Sequence, residues 1–221
     1  MMTATTRQSL PVASRKQPKQ ARSNHLVAAV LDAAVQVLTS EGAQRLTTAR
    51  VAERAGVSVG SLYQYFPNKA AILFRLQSDE WRRTTALLCG ILQDGSVPPL
   101  ARLRALVHAF IQSECEEAPI RGALNDAAPL YRDAPEAAEA RASGRHVFDS
   151  FLQEALPRAD MGTRSLAADL VRTTLSQVGS SFSETPRTAP EIAAYADALA
   201  DMLCAYLQGL MARDQAAATA P

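Results

Sequence analysis

From Asn24 onward the apolar residues recur at three- and four-residue intervals. Val27, Val30, Leu31, Ala34, Val37 and Leu38 form the stripe of an amphipathic helix. Ser23 or Asn24 is suited to cap its first N–H groups, and Gly42 to end it in the left-handed conformation. Thr47 or Thr48 then starts a short helix, TARVAERA, which closes at Gly56. A second short helix is predicted from Ser58 to about Phe66, before Pro67. Asn68 caps a long helix, 68–92, which at 1.5 Å per residue runs about 35 Å. Beyond DGSVPP (94–99) the pattern predicts helices at about 100–117, 120–128, 135–156, 164–183 and 190–212. Breaks fall at Pro119, Pro129, Pro135, Pro157, Gly162, Pro186 and Pro190. With no hairpin signal and no internal repeat, the expected fold class is all-α. Residues 1–22 are polar, basic and Pro-interrupted, and are expected to be a disordered arm.

Composition agrees with helices. Alanine and leucine are abundant and aromatics make up only 5% of 221 residues. No apolar run approaches a membrane span, and the N-terminus lacks the apolar core of a signal peptide. Cys89, Cys115 and Cys204 are widely spaced and form no C-x-x-C pair, which suits reduced thiols in a cytoplasm; a redox sensor is the lesser alternative. The net charge of +1 conceals an asymmetry. Residues 1–75 carry ten Lys/Arg against three Asp/Glu (+7), and the rest carries 13 against 19 (−6). A basic first third points to a polyanionic partner there, unless it is a solvated face with chance clustering.

One motif points elsewhere. GVSVG, Gly56 to Gly60, spells the G-x-S-x-G of serine hydrolases with Ser58 as nucleophile. His108, His146 and many acids could complete a triad on inventory alone. The elbow, however, needs a strand leading into it, and TTARVAERA is helix-forming. Two short helices joined by a Gly-containing turn instead make a helix-turn-helix, with Gly56 at the turn, Val57 plugging the angle and Ala52 at the crossing. At 100° per residue, Leu62, Ser58 and Phe66 are expected to face the core, Gly60 and Gln64 to point outward, and Ser61 and Tyr63 to flank them. Gly60 would let the backbone approach DNA. Gln64 suits adenine N6/N7, Ser61 several base edges, and Tyr63 a phosphate or a thymine methyl. Lys69, in the first turn of the long helix, lies where free N–H groups also favour a phosphate.

The stretch LTTARVAERAGVSVGSLYQYFPNKAAIL (46–73) resembles the DNA-binding signature of TetR-type transcriptional regulators. The resemblance rests on the Thr before the first short helix, A-x-x-A-G-V-S across the turn, x-G-x-L-Y-x-Y-F in the second helix and P-x-K-x-x-x-L after it. It spans residues 25–75, about a quarter of the chain. It implies that Thr47, Thr48, Val59, Gly60, Ser61, Tyr63, Gln64, Tyr65 and Lys69 lie at or near double-stranded DNA. Two departures matter: Val59 stands where many relatives have Lys, and Gln64 and Tyr65 occupy positions that vary among relatives, so the operator sequence is not legible. From the residues alone, Tyr65 could equally be core and Lys69 solvated.

The implied organisation is a helix-turn-helix DNA-binding domain at 23–75 and a helical effector-binding and dimerisation domain at 76–215. The wide apolar stripes of the last two helices suggest a homodimer interface, with Leu170, Leu175, Val178, Phe182, Leu199, Leu203, Tyr206 and Leu210 as candidates, against the plainer reading of an internal core. Leu88, Phe110, Tyr131, Phe148 and Phe151 are candidate walls of an effector pocket, with His108, Asn125 and His146 as polar anchors; core or surface is the competing reading for each. No metal site, cofactor or catalytic residue is expected, and Glu114-Cys115-Glu116-Glu117 reads as a solvated helix end. The expected function is a repressor that leaves a pseudo-palindromic operator when a small molecule resets the long helix, activation being open. Its rivals are a helical ligand carrier without DNA function and the Ser58 hydrolase.

Overall fold

The structure, a computed structural model, describes residues 21–127 and 145–216. Among these residues every regular element is a helix: α1 (Ala21–Glu41), α2 (Thr48–Arg54), α3 (Val59–Tyr63), α4 (Lys69–Gln93), α5 (Pro99–Ala127), α6 (Arg145–Ala155), α7 (Met161–Ser183) and α8 (Ala189–Ala216). The described residues divide into two compact units, one holding 21–82 and 119–127, the other 83–118 and 145–216.

The first unit is built on the stripe of α1. Val30, Ala34, Val37 and Leu38 pack with Leu46, with Val51 and Ala52 of α2, with Leu62 of α3, and with Phe66, Ile72 and Leu73. All are essentially buried. At roughly 1.5–3 kcal/mol for each fully buried large aliphatic side chain, this cluster holds the short helices that could not persist alone. Gly42 ends α1 at φ +83°, its N–H donating to the Leu38 carbonyl at 3.0 Å.

The second unit joins Leu103, Leu106, Val107 and Ile111 of α5 to Phe148, Phe151 and Leu152 of α6, Val171 and Leu175 of α7, and Leu199, Leu203 and Leu207 of α8. Buried Arg102 ties it together. It donates to the Leu92 carbonyl at 2.6 Å, pairs with Glu154, and lies 5.4 Å from the centre of the Phe151 ring. At Gly179 a side chain would collide with α5: a Cβ there would stand 2.7 Å from Phe110 Cε1 and 3.0 Å from Glu114 Cγ.

Two expectations are corrected. The helix containing Asn24 is already under way at Ala21, so neither Ser23 nor Asn24 is its first residue. The predicted break at Pro119 does not occur, and α5 runs 29 residues through it. A proline removes one N–H, here the donor to the Cys115 carbonyl, and a helix this long tolerates that local loss. Of the predicted helix 135–156, the described part is Arg145–Ala155; Pro129, Pro135 and Tyr131 lie outside the described residues.

Candidate nucleic-acid interface

The turn between α2 and α3 is set by backbone hydrogen bonds. Gly56 adopts φ +66°; its N–H donates to the Glu53 carbonyl at 3.1 Å, and the Val57 N–H donates to the Ala52 carbonyl at 3.0 Å. This pair of bonds is the Schellman closure, which needs the left-handed glycine and leaves Val57 against the core. Thr47 caps α2, its hydroxyl accepting from the Arg50 N–H at 3.2 Å. Asn68 stands before α4, its Oδ1 accepting from the Ala71 N–H at 2.9 Å.

Ser58 departs from the expectation that it faces the core. It is exposed and extended (φ −70°, ψ 147°), and as the cap of α3 its Oγ accepts from the Ser61 N–H at 3.0 Å. Its hydroxyl also lies 2.8 Å from Ser61 Oγ. A helix, α2, precedes this turn where a hydrolase elbow needs a strand, so GVSVG is a helix-to-helix turn.

Leu62 is fully buried, and the opposite surface of α3 opens outward. Val59 and Tyr63 each keep 40% of their surface exposed. Gly60 and Gln64 are exposed and Ser61 is half-buried. A Cβ on Gly60 would meet nothing nearer than Ser58 Oγ at 3.8 Å, so the fold leaves that position open. The Tyr63 hydroxyl lies 3.1 Å from Thr48 Oγ1, joining the two helices on the outer side. Tyr65, placed near DNA by the resemblance, is 7% exposed and belongs to the core beside Phe66, because the turn continues past Tyr63, with the Tyr65 and Phe66 N–H groups donating to the Leu62 carbonyl, and puts Tyr65 on the face of buried Leu62.

No acid lies on α3. Arg50 and Arg54 of α2 both face Glu41, the latter at 3.9 Å. Arg45, exposed in the α1–α2 loop, and half-buried Lys69 have no carboxylate partner among the described residues. The surface therefore offers hydroxyls, an amide, a backbone approach and two cations without a carboxylate beside them, a set fitted to phosphates and base edges.

Two family models match the chain. That for bacterial regulatory proteins of the tetR family covers residues 30–76, and that for the tetracyclin repressor-like C-terminal domain covers residues 98–210, half the chain. The chain belongs to the TetR family. The helix-turn-helix of α2 and α3 lies within the first of these matches, at the N-terminal end. Similar proteins include the nucleoid occlusion factor SlmA of Vibrio campbellii, 36% identical over 83 residues (37% of this chain and 42% of that protein). The transcriptional repressor KstR of Mycolicibacterium smegmatis is 29% identical over 127 residues, 58% of this chain and 61% of that one. The match thus spans about two fifths to three fifths of these relatives. The Bacillus subtilis regulator FadR, solved with stearoyl-CoA, shares the fold at a TM-score of 0.62 and 17% identity, over 80% of this chain and 97% of that one.

The other candidate residues of this TetR-family chain lie in the second unit. Phe148 and Phe151 are buried with ring centres 5.9 Å apart, and Leu88 and Phe110 are half-buried against the same core. His108 turns instead toward α8, its Nε2 standing 3.1 Å from Asp197 Oδ1, while His146 is exposed; neither is an anchor within the core. The Asn125 side chain and Tyr131 lie outside the described residues. Of the expected interface residues, Leu175, Leu199, Leu203 and Leu210 are buried within their own chain, whereas Leu170 is 46% exposed. Val178, Phe182 and Tyr206 are half-buried, with Phe182 stacked on Tyr195 at 3.8 Å. The apolar residues that do face outward include Leu166, four positions before Leu170, and Met202.

Burial pushes the thiols of Cys89, Cys115 and Cys204 up from their ordinary value, which keeps them protonated and slow as nucleophiles. No described helix is long and apolar enough to cross a membrane. Among the described residues no group of three or more His, Cys, Asp or Glu is arranged to hold a metal.

Proposed function

We propose that this TetR-family chain is a homodimeric repressor that holds a pseudo-palindromic operator and leaves it when a small molecule binds. Residues 23–75 serve as the reading head and 76–215 as the effector-binding and dimerising part, working in the cytoplasm beside the DNA. The outward face of α3 carries the proposal: Val59, Gly60, Ser61, Tyr63 and Gln64 without an acid among them. Gln64 suits adenine, a bidentate pair worth about 1–3 kcal/mol of discrimination. One five-residue helix offers too few contacts for a specific site, so a twofold partner reading a second half-site about 34–36 Å away supplies the rest. Exposed Leu166 and Leu170 support such a partner. Repression is favoured over activation by the likeness to KstR, which is named a repressor.

Half-buried Leu88 and Phe110 support an apolar effector. The stearoyl-CoA bound to the similar FadR makes a long-chain acyl-CoA the first probe. Selection of bound duplexes from sheared genomic DNA at physiological salt tests the reading. An inverted repeat released by the acyl-CoA is the expected result. Weak binding without sequence preference would point instead to a ligand-binding protein.

A further inference from the structure

Thr48 lies in the first turn of α2 and Tyr63 ends α3, yet their side-chain oxygens meet at 3.1 Å. Thr48 is half-buried beneath a tyrosine that keeps 40% of its surface exposed. The bond fastens the exposed end of the reading helix to its neighbour, separately from the Leu62–Ala52 core below.

Counting protons assigns the roles. In the free protein either hydroxyl can donate to the other. A phosphate oxygen has no proton at neutral pH and only accepts. Tyr63 has a single proton, so once it donates to a phosphate, its bond to Thr48 persists only if Thr48 is the donor. Thr48, with its one proton committed to the phenol oxygen, then has none left for a phosphate of its own. Donation into the phenol oxygen also polarises the outward O–H, strengthening the bond it makes.

We infer that Thr48 is a positioning residue that acts on DNA through Tyr63: it donates to the phenol oxygen, fixes the ring, and leaves the phenol proton aimed at one backbone phosphate. The inference rests on the DNA-binding reading above and replaces a direct contact of Thr48 with the duplex, near which the resemblance places it.

Duplex affinity of the full chain, measured across salt concentrations for Thr48→Val, Thr48→Ser, Tyr63→Phe and the Thr48→Val/Tyr63→Phe double variant, tests it. Thr48→Val and Tyr63→Phe should each weaken binding about tenfold, alike on every sequence, because one hydrogen bond to a charged group is lost or misaligned. The double variant should be no weaker than the worse single one, and Thr48→Ser should stay within about twofold of the unmodified chain. The salt slope should not change, since no cation is removed. Losses that multiply in the double variant would mean that Thr48 touches DNA itself and overturn the inference. So would a loss confined to one base pair, a Thr48→Ser chain as weak as Thr48→Val, or a Thr48→Val chain as tight as the unmodified one. Equal thermal midpoints for all variants keep folding out of the comparison. If the unmodified chain binds no duplex, the DNA-binding reading falls and takes the inference with it. If it binds and Lys69→Ala weakens it while Thr48→Val is silent, only the inference falls.

Discussion

Lys69 occupies a position that favours an anion. It is the first residue of α4, where the helix dipole is positive and a bare cation is unfavourable by a few tenths of a kcal/mol or more. No carboxylate among the described residues neutralises it. A phosphate shared between its ammonium and the free N–H groups of the first turn would resolve the conflict. Lys69→Ala should therefore weaken binding to all duplexes alike and lower the slope of log K against log salt by about one. Gly60 makes the opposite case, since the fold has space for a side chain there. Gly60→Ala should raise the thermal midpoint, adding up to about 1 kcal/mol of helix propensity, while weakening operator binding; tighter or unchanged binding would show that DNA does not approach this backbone closely. At this scale the sequence was legible where chemistry is local. The caps Thr47 and Asn68 and the left-handed Gly42 and Gly56 follow from neighbours a few positions away. Ser58 was misplaced because a helical wheel was extended into a residue whose backbone is extended. The Thr48–Tyr63 bond depends on the angle between two helices, which no spacing encodes.

The two long C-terminal helices start on built caps. Asp160 accepts from the Thr163 N–H at 2.8 Å and its hydroxyl at 2.9 Å, and Glu191 accepts from the Thr188 N–H and hydroxyl, each at 2.7 Å. These bonds, the backbone one foremost in each case, hold both carboxyls below their ordinary values. A carboxyl depressed by folding stabilises the fold above its unfolded value, and that contribution disappears as pH falls through the folded one. As pH falls below about 4, the usual carboxylate range, the starts of α7 and α8 should therefore loosen. The gap in thermal midpoint between the unmodified chain and Asp160→Asn should close over the same range; a constant gap would remove the cap from the explanation. Glycines within helices divide by their surroundings. Gly209→Ala, with only Arg213 Nη1 at 3.9 Å, should stabilise by about 0.5–1 kcal/mol. At Gly179 the same change gains propensity but meets Phe110 and Glu114, and overpacking of about 1–3 kcal/mol should leave it neutral to destabilising. Denaturant midpoints of the two variants, measured side by side, decide it. The helices themselves were legible from period and punctuation. Pro119 was not, since whether a long helix carries a proline depends on what its other turns gain elsewhere.

For the whole molecule, the stripes of α7 and α8 announced more apolar surface than a two-helix end requires, but not how it is divided. Leu175, Leu199, Leu203 and Leu210 serve the chain's own core, and Leu166, Leu170 and Met202 remain outside. An apolar period says that a residue is covered, not by which molecule. Leu170→Glu should change the stability of the separate chain by no more than about 0.5 kcal/mol, since the side chain is largely exposed. It should nevertheless yield a monomer in sedimentation at concentrations where the unmodified chain is a dimer, with loss of operator affinity. A dimer that survives the charge would place the interface elsewhere.

The crossing at Gly179 has a mechanical consequence. A Cβ there would stand 2.7 Å from Phe110 Cε1 and 3.0 Å from Glu114 Cγ, so the missing side chain is what lets α5 and α7 lie as near as they do. Any side chain placed at this position should therefore push the two helices apart, so the site is one where a single substitution acts as a wedge.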